Sequence, residues 1–160
     1  MAILTYEQQA TIKPISANKK HVFTQLEAEI CDLYMPKLLG HSLSQKVQAE
    51  PDDYLLLLDG STFDYCGETI NHKGLRYILA YYLYAEYVQI SDFEDTFTGL
   101  VRQNRGETEH LSGGRIEKVR QHYIQIAESA WELTKKYIES SDLCEKIAPN
   151  KVTSPRFTTI

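Results

Sequence analysis

The chain has 160 residues, with 17 Lys or Arg against 22 Asp or Glu, so its formal net charge is −5 at pH 7. This length fits one domain, and the acidic balance argues against sequence-independent binding to nucleic acid, which needs a basic face. Hydrophobic residues make up 42% of the chain, which excludes wholesale disorder. The 11 tyrosines indicate either a contact surface or core positions whose hydroxyls lie at the rim.

Cysteine usage and the N-terminus predict a soluble intracellular protein. The three cysteines, Cys31, Cys66 and Cys144, are odd in number and widely spaced, which excludes a disulfide framework and a zinc knuckle. The N-terminus has no basic region followed by an apolar run, so we expect no signal peptide. No apolar stretch reaches the ~20 residues that a membrane-spanning helix needs.

The first third of the chain predicts an arm followed by helices. Residues 1–18 lack helical periodicity and are expected to form an extended arm. An apolar helical face follows, with steps of four, four and three, made by Val22, Leu26, Ile30 and Leu33. Pro36 and Gly40 are expected to bend or end this helix, and a short helix is expected over 43–48.

Residues 62–73 are interpreted as a small hairpin or an ordered loop.

The middle of the chain contains its most aromatic helix. Residues 75–88 predict a helix that is apolar or aromatic almost all round and carries five of the tyrosines. Such a helix is central in the core or sandwiched between subunits.

A polar, glycine-containing stretch over 91–114 predicts a long loop with one β-like island at 96–101. Phe97 and Val101 are expected to share a face of that island, with Gly99 between them. A loop this long inside a compact domain is usually functional or an interaction element.

The last helix, over 115–140, has the clearest periodicity. Its apolar residues follow alternating steps of three and four, the a/d spacing of a helix packed at a shallow angle on a neighbour. They are Ile116, Val119, Tyr123, Ile126, Ala130, Leu133 and Tyr137. A short helical turn over 143–147 and an extended tail are expected after it.

Together these elements predict one domain over 1–160 with a mainly α fold. We expect a small helical bundle with a long C-terminal helix, one long loop with a short β-like segment, and extended N- and C-terminal arms. The parts are an arm over 1–18, a helical body over 19–140 with its loop at 91–114, and a tail over 141–160.

No catalytic constellation is found in the sequence. The histidines show no helical metal-site spacing, and no phosphate-binding or nucleophile-elbow motif is present. We therefore expect no enzyme activity, no metal and no cofactor. A small enzyme with a reactive cysteine stays an alternative, which requires Cys31, Cys66 or Cys144 to lie within hydrogen-bond reach of a histidine.

The order of these features resembles a known family. The relevant segments are 34–40 after the first helix, 74–76 opening the tyrosine-rich helix, 96–102 in the loop, and 121–123 in the final helix. Over residues 20–140 the chain resembles the small head–tail connector (adaptor) proteins of tailed bacteriophages.

The resemblance implies a structural virion protein at the head–tail interface, assembled in the host cytoplasm. Such subunits form a ring, typically of twelve copies, that joins the portal to the tail and extends the DNA channel. The implied partners are other copies of the chain, the portal protein and tail or further ring proteins. Packaged DNA would pass without specific binding, and no membrane is involved.

Three segments are candidates for subunit or partner contacts under this hypothesis. They comprise the tyrosines of the aromatic helix, the β-like island and the tail: Tyr77, Tyr81, Tyr84, Tyr87, Thr96, Phe97, Gly99, Val101, Arg102, Lys151, Pro155, Arg156 and Phe157. The alternative is a helical adaptor or regulator that binds one partner through the tyrosine-rich helix, residues 75–90.

Overall fold

A computed structural model describes residues 2–15, 20–90, 93–96, 99–102, 113–141 and 143. These residues form five α-helices: α1 (Tyr6–Ile12), α2 (Lys20–Ala49), α3 (Leu55–Asp59), α4 (Gly74–Ile90) and α5 (Gly113–Ser140). A 3₁₀ turn, Pro51–Tyr54, leads into α3. Two antiparallel hairpins pair β1 (Ser61–Tyr65) with β2 (Glu68–His72) and β3 (Phe93–Thr96) with β4 (Gly99–Arg102). The predicted mainly α fold with a long C-terminal helix is confirmed.

Helix α4 lies at the centre of the bundle. It contacts α1, α2, α3 and α5, and its largest shared surface is with α5. Leu75, Ile78, Leu79 and Leu83 are fully buried. A helix that is apolar all round removes the most apolar surface from water when it is surrounded, so the predicted central position is confirmed.

The N-terminal segment differs from the expected extended arm. Residues 6–12 form α1, which begins with a capping box between Thr5 and Gln8. Gln9 is fully buried, and its side-chain amide donates hydrogen bonds to the carbonyls of Lys13 (2.7 Å) and Ala80 (3.3 Å). The Arg76 side chain donates to the carbonyl of Ile3 at 2.8 Å. The contacts to Ala80 and Ile3 join residues more than 70 positions apart in the sequence. Such contacts produce no periodic pattern that a sequence analysis could detect.

Helix α2 continues through Pro36 and is interrupted at Gly40. The φ and ψ angles of Gly40 are 75° and 160°, which no helical residue adopts. The short helix expected over 43–48 is therefore the C-terminal part of α2.

The β1–β2 hairpin closes through a two-residue turn, as one of the two interpretations of 62–73 predicts. Tyr65 pairs with Glu68, and the turn residues Cys66 and Gly67 have positive φ angles of 52° and 84°. Positive φ at both positions defines the type I′ turn, whose twist matches that of the two strands.

We expect Cys66→Asn to raise the free energy of unfolding by about 0.5–1 kcal/mol, because asparagine tolerates the left-handed conformation better than cysteine. Cys66→Val is expected to lower it, since a β-branched side chain is strained there. Urea denaturation of the three proteins measures both changes, and an identical midpoint for all three would show that this turn does not limit stability.

At the base of the same hairpin, the two chain segments that enter and leave it are in close backbone contact. Gly60 precedes β1 and Gly74 follows β2, and both have positive φ angles, of 90° and 80°. A Cβ atom on Gly74 would overlap the backbone of Leu58 and Gly60, and one on Gly60 would overlap the carbonyl of His72. Only glycine at both positions allows the two chain segments to touch.

The buried face of α5 departs from the expected a/d seam along the helix. Ile116 and Ala130 are buried as expected, but the other buried positions are Ala127, Thr134 and Ile138. Ile126 and Leu133 are only partly buried. A straight α-helix has 3.6 residues per turn and drifts by about 20° per heptad from a 3.5-residue repeat, so over three heptads the expected seam rotates by about 60° away from the core face.

The β-like island over 96–101 is not one strand. Thr96 ends β3 and Gly99 begins β4, and these two residues pair across the turn. Phe97 lies outside the described residues, as does the tail from Cys144 onward. The prediction that Phe97 and Val101 share a face therefore stays a prediction, because one of the two residues is not described.

Candidate interaction surfaces

The tyrosines of α4 pack against α5 and against each other. The ring centroids of Tyr77 and Tyr81 are 4.7 Å apart, and those of Tyr84 and Tyr87 are 5.8 Å apart. Tyr123 of α5 meets Tyr84 edge to face at 4.8 Å. All four of these α4 tyrosines are partly buried against the core. Of the two interpretations of the tyrosine count, rim positions fit this face better than an open contact surface.

Lys13 covers one end of this aromatic cluster. Its ammonium lies 4.9 Å from the ring centroid of Tyr84 and 4.7 Å from that of Tyr123. The hydrogen bond with the Tyr123 hydroxyl raises the pKa of Lys13, and burial opposes this effect. The N-terminal segment is thus held to both α4 and α5 by a cation over two aromatic rings.

A second aromatic pair joins α2 to α4. The rings of Tyr34 and Tyr82 stack with centroids 4.1 Å apart and planes at 19°. Burial raises the pKa of Tyr82 to about 12 and raises the pKa of Tyr34 as well. For Tyr77, the hydrogen bond with Tyr81 raises the pKa to about 12. These phenols are therefore neutral at physiological pH and act as packing groups.

Arg120 connects α5 to α4 electrostatically. Its guanidinium donates to the carboxylate of Glu86 at 2.8 Å and to that of Glu117 at 3.4 Å. The Glu86 hydrogen bond raises the pKa of Arg120, and the arginine side chain is 22% exposed. This pair fixes α5 along α4, which positions the outer surface of α5.

Three apolar residues of α5 form what we call the outer stripe: Val119, Ile126 and Leu133, spaced seven residues apart. All three are partly buried, and they lie beside the core face of α5 rather than on it. Ile126 and Leu133 line a groove of about 390 Å³ between α4 and α5, together with Tyr77, Ala130 and the polar Lys73 and His122. The outer stripe is thus a second apolar face of α5 at heptad spacing.

A larger groove of about 660 Å³ lies on the other side of α5, against α2. Its apolar lining residues are Trp131, Tyr82 and Leu38, and its charged lining residues are Glu128, Glu132 and Lys37. Gln125 and Ser129 line both grooves. Helix α5 therefore presents a ridge with a groove on each side, which suits contact with elongated elements of a partner.

A buried polar site holds the β1–β2 hairpin to α5. His72 is 1% exposed, and its Nε2 atom lies 2.9 Å from the Ser61 hydroxyl. Its Nδ1 atom lies 3.5 Å from the Thr134 hydroxyl, which donates its own hydrogen to the carbonyl of Ala130. Thr134 can therefore only accept, which places the ring proton on Nδ1 and lets Nε2 accept from Ser61.

The surroundings of His72 are aromatic. The imidazole stacks on Tyr137 with centroids 4.3 Å apart, and Phe63 meets it edge to face at 5.8 Å. Burial lowers the pKa of His72, so the ring is neutral near pH 7. Sequence reasoning missed this site, because Ser61, His72 and Thr134 are separated along the chain and share no motif.

The described cysteines do not meet the requirement of the cysteine-enzyme alternative. The Cys31 thiol is buried and donates to Glu27 at 3.5 Å, and burial raises its pKa. Cys66 is exposed at the hairpin turn. Neither has a histidine partner among the described residues, and Cys144 lies outside them.

Neither a metal site nor a membrane-spanning helix is found among the residues with described positions. Within them, no group of three or more His, Cys, Asp or Glu side chains is arranged to hold a metal ion. Over the same part of the chain, every helix is too short or too polar to cross a bilayer.

The candidate contact residues of the loop and tail are only partly placed. Thr96, Gly99, Val101 and Arg102 lie on the backbone of the β3–β4 hairpin. The rest of that set lies outside the described residues: Phe97, Lys151, Pro155, Arg156 and Phe157. The structure brings together the four candidate tyrosines of α4, and it adds Trp131 as an aromatic residue of α5 beside a groove.

The described fold and surfaces define a mainly α bundle with a grooved long helix. Residues 35–145 match DUF6712, a family of unknown function, and the match covers more than half of the chain. The chain belongs to this family. No curated protein and no solved structure matches the chain.

Proposed function

We propose that the chain is a structural subunit that assembles into a ring with other copies of itself, as a head–tail connector between a portal and a tail. The observation that carries the proposal is the outer stripe of α5, which lies beside the core face at a strict seven-residue spacing. Heptad spacing on a long helix suits packing against another helix. The resemblance to phage connectors adds the portal and the tail as partners and the virion as the location.

The two grooves that flank α5 support a head-to-tail contact. They differ in chemistry, since the α2 side contains two glutamates and one lysine and the α4 side exposes mainly apolar surface. A ring is built from two different faces of each subunit, whereas a two-fold dimer needs one self-complementary face. The proposal includes a structural role without catalysis.

We expect the double variant Ile126→Glu, Leu133→Glu to weaken assembly at least tenfold while the monomer stays folded, because both side chains are only partly buried. Light scattering of the purified chain, alone and mixed with its portal protein, measures the assembly. The matched control is Lys135→Glu, which makes the same charge change at an exposed position of α5.

A ring or a stable portal complex for the original chain and the control, lost in the double variant, supports the proposal. An original chain that stays monomeric and does not bind the portal protein contradicts the proposal. That result would favour the alternative, a helical adaptor that binds one partner through residues 75–90. Tyr77 favours this second candidate most, because it lines the groove between α4 and α5.

A further inference from the structure

A third groove lies beside α3, away from both grooves of the α5 ridge. Its volume is about 250 Å³, and it runs between the 3₁₀ turn with α3 and the end of α5. Leu55 and Leu56 line it and are 45% and 62% exposed, whereas Leu57 and Leu58 beside them are buried. Leu57 and Leu58 are thus part of the hydrophobic core, and Leu55 and Leu56 expose apolar surface at this groove.

Negative charge surrounds the apolar surface. Asp52 and Asp53 line the same groove and are exposed, and neither forms an ion pair with a described residue. An occupant that fits this groove therefore combines apolar side chains with positive charge.

The chain itself carries a segment of that chemistry, and it begins at the groove. Leu143 lines the groove just after α5 ends. Residues 146–160 contain three cations and no Asp or Glu, and they include four larger apolar side chains. The cations are Lys146, Lys151 and Arg156, and the apolar residues are Ile147, Val152, Phe157 and Ile160.

We propose that the C-terminal segment of the same chain docks in this groove, with Phe157 against Leu55 and Leu56 and Arg156 beside Asp52 and Asp53. The 14 residue-to-residue steps from Leu143 to Phe157 span about 46 Å when extended, so the segment is long enough to turn back. Attachment at the groove gives it a high effective concentration there, which favours the same chain over a second copy. The inference is independent of the ring function.

Disulfide trapping in the full-length chain tests the docking. Cys66 and Cys144 are replaced by serine, Leu56 and Phe157 by cysteine, and the buried Cys31 is retained. We expect oxidation to form an intrachain disulfide at least five times faster than in a matched protein with cysteine at Gln45, an exposed α2 position, instead of Leu56. Equal rates overturn the proposal, and a disulfide-linked dimer overturns it in favour of docking on a second copy.

Trypsin gives a second measurement without introduced cysteines. Docking shields the bonds after Lys151 and Arg156, so we expect Asp52→Lys, Asp53→Lys to accelerate their cleavage about fivefold. The matched control, Glu29→Lys with Asp32→Lys, makes the same charge change on exposed positions of α2 and is expected to leave the rate unchanged. Equal acceleration by both variants, or by neither, contradicts docking at the groove.

Discussion

Gly74→Ala is expected to lower the free energy of unfolding by roughly 3 kcal/mol. Part of the loss is backbone strain, because φ at Gly74 is +80° and an L-residue in this region costs about 1–2 kcal/mol. The remainder comes from overlap of the new Cβ with the backbone of Leu58 and Gly60, and overpacking of this kind costs about 1–3 kcal/mol. Urea denaturation at pH 7.5 measures the loss.

Gly67→Ala separates the two contributions. Gly67 also has a positive φ, of 84°, but a Cβ there has no heavy atom within 4 Å. Only the strain remains, so we expect a loss of about 1 kcal/mol. Equal losses for the two variants would show that the crossing of Gly60 and Gly74 relaxes without cost.

Acid is expected to destabilise the protein through His72. The folded-state pKa of this ring is lowered by burial, so below pH 6.5 the unfolded chain binds a proton that the folded chain takes up only at lower pH. Stability is therefore full above the unfolded pKa of about 6.5 and is lost as the pH falls below it, by at most about 1.4 kcal/mol per pH unit.

The measurement is the free energy of unfolding of the original chain and of His72→Gln at pH 7.5, 6.5 and 5.5. We expect the original chain to lose more stability than the variant between pH 6.5 and 5.5, by at most about 1 kcal/mol. His41→Gln, which removes an exposed histidine of α2, is the control. Parallel pH profiles for the original chain and His72→Gln would assign the acid sensitivity to other groups.

The sequence predicts the elements that depend on local patterns. The central position of α4 follows from its apolar composition, and the β1–β2 hairpin is one of the two structures, hairpin or ordered loop, that residues 62–73 allow. The N-terminal segment was not predicted, because Gln9 and Arg76 hold it through backbone carbonyls of residues far away in sequence.

The candidate surfaces were predicted less well than the fold. The a/d seam of α5 correctly identifies an apolar helix, but periodicity cannot say which of two adjacent stripes faces the core. In the structure Ala127, Thr134 and Ile138 are buried in the core, whereas Ile126 and Leu133 line the groove. The accumulated difference between 3.5 and 3.6 residues per turn decides between them.

The contact between Gly60 and Gly74 brings the two ends of the β1–β2 hairpin together in space. The strand pair over 61–72 packs against α5, but it starts and ends at one point of the backbone, since Gly60 and Gly74 on either side of it are in close contact. In topological terms the hairpin is an insertion between α3 and α4. Its Cys66–Gly67 tip is exposed, so an epitope tag or a fluorescent label placed there would report on the protein without moving a helix.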